Sequence, residues 1–171
     1  MSELIRLPDG TKLRVRPLRV GDRPLIEQGL ASLSPRSLQR RFLSPMPAGV
    51  PPRIVDDLAR VDPATRVVLL AFDRGTDRLV AVARAVRSAR DPNGPAEVAV
   101  TVCDAWQGRG VGTALMRALR RAALRAGIDR FGGYVLVDNR PAQRMVVRSG
   151  GTFDLDEPGV LHFELPLQRV A

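Results

Sequence analysis

A chain of 171 residues with no break in composition sets one domain, residues 1–171, as the expectation, and it is long enough to bury a sizeable core. Hydrophobic residues make up 44% of it, but no apolar run approaches a membrane span, and Met1 to Arg6 lacks the apolar stretch of a secretory leader. The net charge of +9, with Lys12 the only lysine, makes an arginine-rich surface suited to anionic partners: a phosphorylated cofactor, an acidic protein surface or nucleic acid.

Leu4 to Leu7, Pro8-Asp9-Gly10 and Thr11 to Arg16 read as a β-hairpin, with Leu13 and Val15 facing inward between Lys12, Arg14 and Arg16. Asp22 before Arg23-Pro24 predicts the N-cap of a helix ending near Ser32, and Ser34-Pro35 starts a short basic helix through Arg36, Arg40, Arg41 and Phe42. The four prolines between Ser44 and Pro52 enforce an irregular segment. Helix resumes near Arg53, with Ile54, Leu58 and Val61 on one side. Val67 to Phe72 reads as a strand buried on both faces, followed by strands at Leu79 to Val86 and Ala96 to Val102. A long helix follows Gly112, with Leu115, Leu119 and Ala122 or Ala123 inward, an arginine stripe at 117, 121 and 125 outward, and Gly127 as its C′ residue. Tyr134 to Val137 predicts a strand, Asn139 to Ser149 a helix capped by Asp138 or Asn139, and Val160 to Leu165 a last strand. Cys103 has no partner for an internal disulfide, so a reducing cytoplasm is the expected setting.

The stretch from Val98 to Met116 organises the chain. A β-branched run hands over to a helical period through Gln107-Gly108-Arg109-Gly110-Val111-Gly112. A helix N-terminus carries unpaired N–H groups and partial positive charge, and glycines there let the backbone approach an anion closely. The expected ligand is the pyrophosphate of a cofactor. A dinucleotide fold spaces its glycines differently, as Gly-x-Gly-x-x-Gly. Short turns join the central strands, so they pair antiparallel; the strand–glycine loop–helix–strand unit after residue 96 requires a parallel crossover. The fold class is α/β: a mixed six- or seven-stranded sheet, mostly antiparallel with a parallel pair at the cofactor site, and helices on both faces.

Gln107, Gly110 and Gly112 at this junction, with Trp106 before them and Asn139-x-x-Ala142 downstream, resemble the GNAT superfamily of acyl-CoA-dependent N-acyltransferases. The resemblance covers essentially the whole chain. Val15 to Asp22, Leu33 to Ser37 and Arg41-Phe42 are similar to the catalytic domain of bacterial Pat-type protein-lysine acetyltransferases, which often carry a cyclic-nucleotide-binding or CoA-ligase-like domain for which these residues leave no room. The resemblance implies acetyl-CoA as co-substrate, with no metal, and an amine acceptor, a protein lysine. It implies cofactor contacts from Val100, Thr101 and Val102 on a splayed strand, from Gln107, Gly108, Arg109, Gly110, Val111, Gly112 and Thr113 in the loop, and from Asn139. Ala96-Glu97-Val98-Ala99 matches the Pat segment whose glutamate is the general base, which assigns that role to Glu97. Two positions depart from the family. Val146 stands where a tyrosine often protonates the departing thiolate, and Gly151 stands where a phenylalanine is usual.

Strand alternation puts Val98, Val100 and Val102 toward the core and Glu97, Ala99 and Thr101 on the opposite face, a floor of small residues around a carboxylate. Cys103 reads as a buried structural thiol and His162 as a border residue of the acceptor side. The arginine stripe reads as a solvated face or as a contact for the cofactor's 3′-phosphate. With aromatic residues at only 4% and no base-reading motif, nucleic acid is not an expected partner, and neither is a membrane. Two alternatives to protein-lysine acetylation stay open: a small-molecule amine acceptor, and a non-catalytic acyl-CoA sensor. Oligomeric state is not fixed by the sequence.

Overall fold

The structure, a computed structural model, describes residues 2–167. Glu3–Arg6 (β1) and Lys12–Pro17 (β2) form the expected hairpin, closed by the Leu7 N–H donating to Thr11 O at 2.8 Å and by Gly10 at φ +85°. Three helices follow: Arg23–Ala31 (α1), Pro35–Phe42 (α2) and Pro52–Leu58 (α3). Each has proline in its first turn, where the missing N–H costs nothing. Ser34 caps α2 as expected, accepting from the Ser37 N–H. Asp22 occupies the N-cap position of α1 without capping it. Its carboxylate takes Arg16 Nη1 and Nη2 at 2.6 and 2.9 Å and the Arg19 N–H at 2.7 Å. On α3 the side chain that buries is Val55 rather than Ile54, and Val61 lies beyond the helix.

Arg66–Asp73 (β3), Leu79–Val86 (β4) and Ala96–Val102 (β5) make the antiparallel centre of the sheet. The helix Val111–Arg125 (α4) then crosses to Arg130–Leu136 (β6), followed by Arg140–Arg148 (α5), Thr152–Glu157 (β7) and Val160–Pro166 (β8). The eight strands run in the order β1-β2-β3-β4-β5-β6-β8-β7, and only β5–β6 is parallel. The sheet therefore exceeds the six or seven strands expected. The extra one is β7, an edge strand exposed along almost its whole length, whose Asp154, Asp156 and Glu157 mask the alternation of Phe153 and Leu155. β6 starts four residues earlier than Tyr134, because Gly132 and Gly133 are packing glycines rather than breakers. A Cβ on Gly132 would lie 3.1 Å from Pro95 Cβ, and one on Gly133 3.1 Å from the Phe163 ring and 3.2 Å from Val98 O.

Two apolar layers flank the sheet. On one face Leu115, Leu119 and Ala123 of α4 and Val146 of α5 pack with Leu69, Ala71, Ala83, Val98, Phe131 and Phe163. On the other, Ile26, Leu30, Leu38 and Val55 of α1–α3 pack on Val68, Leu70 and Phe72. β3 is thus covered on both sides, and each fully buried leucine contributes roughly 1.5–3 kcal/mol. Gly127 ends α4 at φ +73°; its N–H and that of Ile128 return to Leu124 O and Ala123 O.

Candidate active site

β5 and β6 pair only at Ala96 with Phe131 and Glu97 with Gly132. Beyond that apex β6 follows β8 to Leu136 while β5 stays on β4, so the two strands open as a wedge. The wedge-facing edge of β5 from Val98 to Val102 makes no strand pairing, and Val102 O accepts instead from Gln107 Nε2 at 3.0 Å. An edge of unpaired backbone polar groups needs a partner, and a ligand with amides along its length supplies one.

The open end of the wedge leads to the glycine loop. A short turn over Asp104–Trp106 precedes Gly108 at φ +75° and Gly110 at φ +85°, a left-handed backbone that residues with a Cβ adopt at a cost. Ala114 is the first residue of α4 whose N–H finds a carbonyl, that of Gly110. The N–H groups of residues 108–113 thus have no backbone acceptor among the described residues, as at any helix N-terminus, where such groups suit phosphate oxygens. Gly112 lies over Val100 and Val102, and a Cβ there would meet Val102 at an ordinary 3.6 Å.

Glu97 is exposed at the apex. Its face of the sheet continues through Gly132 to Glu164 on β8, two strand spacings or roughly 9–10 Å away. Tyr134 and His162 lie beside that row with ring centroids 5.2 Å apart, and Asp154 stands opposite His162. Tyr134 is 50% exposed, and Asp154 and Glu164 are exposed as well. On the other side of Glu97 the same face is roofed by α1–α3. The carboxylate stands where a covered cavity meets an open, acidic sheet surface.

Residues 36–150 match the acetyltransferase (GNAT) family. The chain belongs to that family. It is 32% identical over 97% of its length to acetyltransferase Pat of Mycolicibacterium smegmatis, and spans about half (49%) of that relative. It is 34% identical to an acetyltransferase of Pseudomonas aeruginosa over 73% of this chain and 67% of that one. The crystal structure of the GNAT domain of PAT from S. lividans superposes with a TM-score of 0.88 at 32% identity, covering 97% of both chains. GNAT enzymes are acyl-CoA-dependent acetyltransferases.

Within this GNAT domain several side chains around the wedge and the loop are engaged with other residues. Gln107 is a brace: its Nε2 donates to Ser37 Oγ at 3.1 Å and Asp104 Oδ1 at 3.3 Å as well as to Val102 O, and its N–H donates to Asp104 O. Asp104 accepts from Ser34 N, Ser34 Oγ and Ser37 Oγ. Burial raises its pKa, but the Ser37 and Ser34 hydrogen bonds outweigh that and leave it lowered. This network, absent from the sequence reading, ties the start of α2 to the loop. Arg109 turns away from the loop, bonding Asp9 Oδ2 at 2.8 and 3.0 Å and Thr11 Oγ1 at 2.9 Å, and stacking 4.2 Å from the Trp106 ring centre. The Thr11 N–H and Arg109 together bring Asp9 down to about 2. The Arg109 guanidinium is thus engaged with the β1–β2 hairpin, and the Val111 side chain is buried. Thr113 is exposed. Asn139 caps α5, its Oδ1 accepting from the Ala142 N–H at 3.4 Å. Arg36 and Arg40 of α2 reach Asp138, joining α2 to the far arm of the wedge. Val146 is 2% exposed and faces the core, against the backbone of Gly151. Cys103 lines the covered cavity, its thiol 3.6 Å from Ser32 Oγ. Arg117 and Arg125 face solvent, while Arg121 pairs with Glu3. No helix among the described residues is long and apolar enough to cross a membrane.

Proposed function

We propose that residues 1–171 act as a single GNAT domain that moves acetyl from acetyl-CoA to a primary amine, a protein lysine, in the cytoplasm. The observation that carries this reading is the wedge, which opens next to Glu97 and leads to a glycine loop whose N–H groups have no backbone acceptor among the described residues. The cofactor's pyrophosphate lies on the N–H groups of residues 108–113. Its pantetheine amides run along Val100, Thr101 and Val102, and Asn139 lies on the far arm. Backbone N–H groups of β5 polarise the thioester carbonyl. The amine nitrogen attacks the carbonyl carbon, the C–S bond breaks, CoA leaves as thiolate, and Glu97 takes the amine proton directly or through a water. A protein acceptor is favoured by the open face beside Glu97, where exposed Glu164 and Asp154 suit an approaching cation, and by the likeness to the Pat-type domain.

The test is Glu97→Gln, followed by calorimetry with acetyl-CoA and by thiol release against a panel of lysine peptides and small amines. The expected result is unchanged acetyl-CoA affinity with turnover lowered roughly 10²–10⁴-fold. A loss of only a few-fold removes Glu97 from the mechanism. Turnover confined to small amines removes the protein acceptor.

A further inference from the structure

The covered cavity under α1–α3 holds charge that acetyl transfer does not use. Its volume is about 40 Å³, on the scale in which one water needs about 10–15 Å³, and it opens to solvent. Leu30, Leu33 and Val82 contribute to its walls and Ala99 and Thr101 of β5 to its floor, and two guanidiniums, Arg41 of α2 and Arg84 of β4, line it. Arg84 stands opposite Ala99 in the sheet and reaches Asp57 Oδ2 only at 3.5 Å, while Arg66 holds Asp57 Oδ1 at 2.7 Å. Arg41 makes no hydrogen bond or ion pair with any described residue; its guanidinium lies 5.0 Å from the ring of its neighbour Phe42. Burial, reinforced by the charge of Arg84, brings Arg41 down to about 10, and burial also lowers Arg84. The fields of Glu97 and Asp57 oppose both shifts. Arg41, Arg66 and Arg84 thus face two carboxylates, which leaves one positive charge uncompensated beside a largely apolar wall. An unpaired charge in such surroundings is costly, and paired guanidinium forks match a carboxylate in shape and charge.

We propose that Arg41 and Arg84 form a subsite for a carboxylate carried by one of the reacting substrates, either the distal end of a dicarboxylic acyl thioester or a carboxylate on the acceptor. This rests on the acyl-transfer reading above. The acyl chain is the favoured carrier. The cavity floor is the strand along which the thioester lies, whereas the open face by which an amine arrives carries Glu97, Glu164 and Asp154 and repels anions. With a four-carbon dicarboxylic donor the amine nitrogen attacks the thioester carbon, the C–S bond breaks, thiolate leaves and the amine proton goes to Glu97. The distal carboxylate stays ionised between the two arginines and takes no part in bond making.

The experiment compares kcat/KM of the full chain for succinyl-CoA and its neutral counterpart butyryl-CoA with one lysine peptide. A second arm uses acetyl-CoA with peptides bearing glutamate or glutamine beside the lysine. Both arms are repeated in Arg41→Gln, Arg84→Gln and Arg41→Lys, and the CoA thioesters are also titrated calorimetrically without acceptor. The expected result is a preference of about tenfold or more for the carboxylate-bearing member of one pair, largely lost in the glutamine variants and partly kept in Arg41→Lys. The arm that shows it identifies the carrier. Because each result is a ratio within one variant, a general loss of activity or fold cancels. Ratios near one in both arms, or a preference untouched by Arg41→Gln, overturn the subsite while leaving acyl transfer intact. Failure of every thioester to bind overturns both.

Discussion

The Arg16–Asp22 pair offers a sharp test of how the cavity roof is held. Both residues are 8% exposed, the contact is bidentate, the Arg19 N–H adds a third hydrogen bond to the carboxylate, and the Arg16 guanidinium lies 4.8 Å from the Phe72 ring centre. Asp22→Ala leaves a buried guanidinium without its counter-charge, a defect of about 3–5 kcal/mol. For a chain of this length that corresponds to roughly 6–20 °C in Tm, at about 2–4 °C per kcal/mol. Replacing both residues together, as Arg16→Met with Asp22→Leu, removes the stranded charge and costs less than Asp22→Ala alone. Urea melts at pH 7 measure both. The Arg16 hydrogen bonds hold the Asp22 carboxyl below its ordinary 3.8. Its stabilisation is therefore complete above the unfolded value and drains away as the pH falls through the lower, folded one. The Asp22→Ala deficit should accordingly be full at pH 7 and shrink in acid melts below about pH 4. A deficit under about 1 kcal/mol at pH 7, the level of an exposed pair, would refute the reasoning.

Two further substitutions separate backbone from side-chain roles in the loop. Gly110→Glu forces a left-handed φ on a residue with a Cβ, costing about 1–2 kcal/mol, and adds a carboxylate beside the phosphate cradle. Acetyl-CoA affinity by calorimetry is expected to fall at least about tenfold, and an unchanged Kd would remove the cradle. Arg109→Ala removes the contacts to Asp9, Thr11 and Trp106 and leaves the backbone of the loop in place. Its Kd for acetyl-CoA is expected to change by less than about tenfold while Tm drops, and a large affinity loss at constant Tm would place the guanidinium on the phosphates instead.

What the sequence could tell about this protein followed from local rules. The glycine loop, the Ser34 and Asn139 caps, the Gly127 stop and the inward face of α4 each depend on a few neighbouring residues and a period, so they were readable before any tertiary contact was known. The alternation of β5 likewise placed Glu97 opposite the valines. β7 went unread because an edge strand exposed along its length has no core to impose an apolar rhythm. The start of β6 went unread because glycines that yield space to Pro95 and Phe163 look, in one dimension, like a turn. Asp22 and Gln107 were placed correctly along the chain, but their side chains are committed to partners that only folding brings near, Arg16 in one case and Ser37 in the other. The cavity is the clearest case. A lone arginine in the apolar run Leu79 to Val86 was its one trace in the sequence, and nothing local joins Arg84 to Arg41. A helix laid across a sheet puts two guanidiniums into one space, and the low polarity of that space makes their charge consequential.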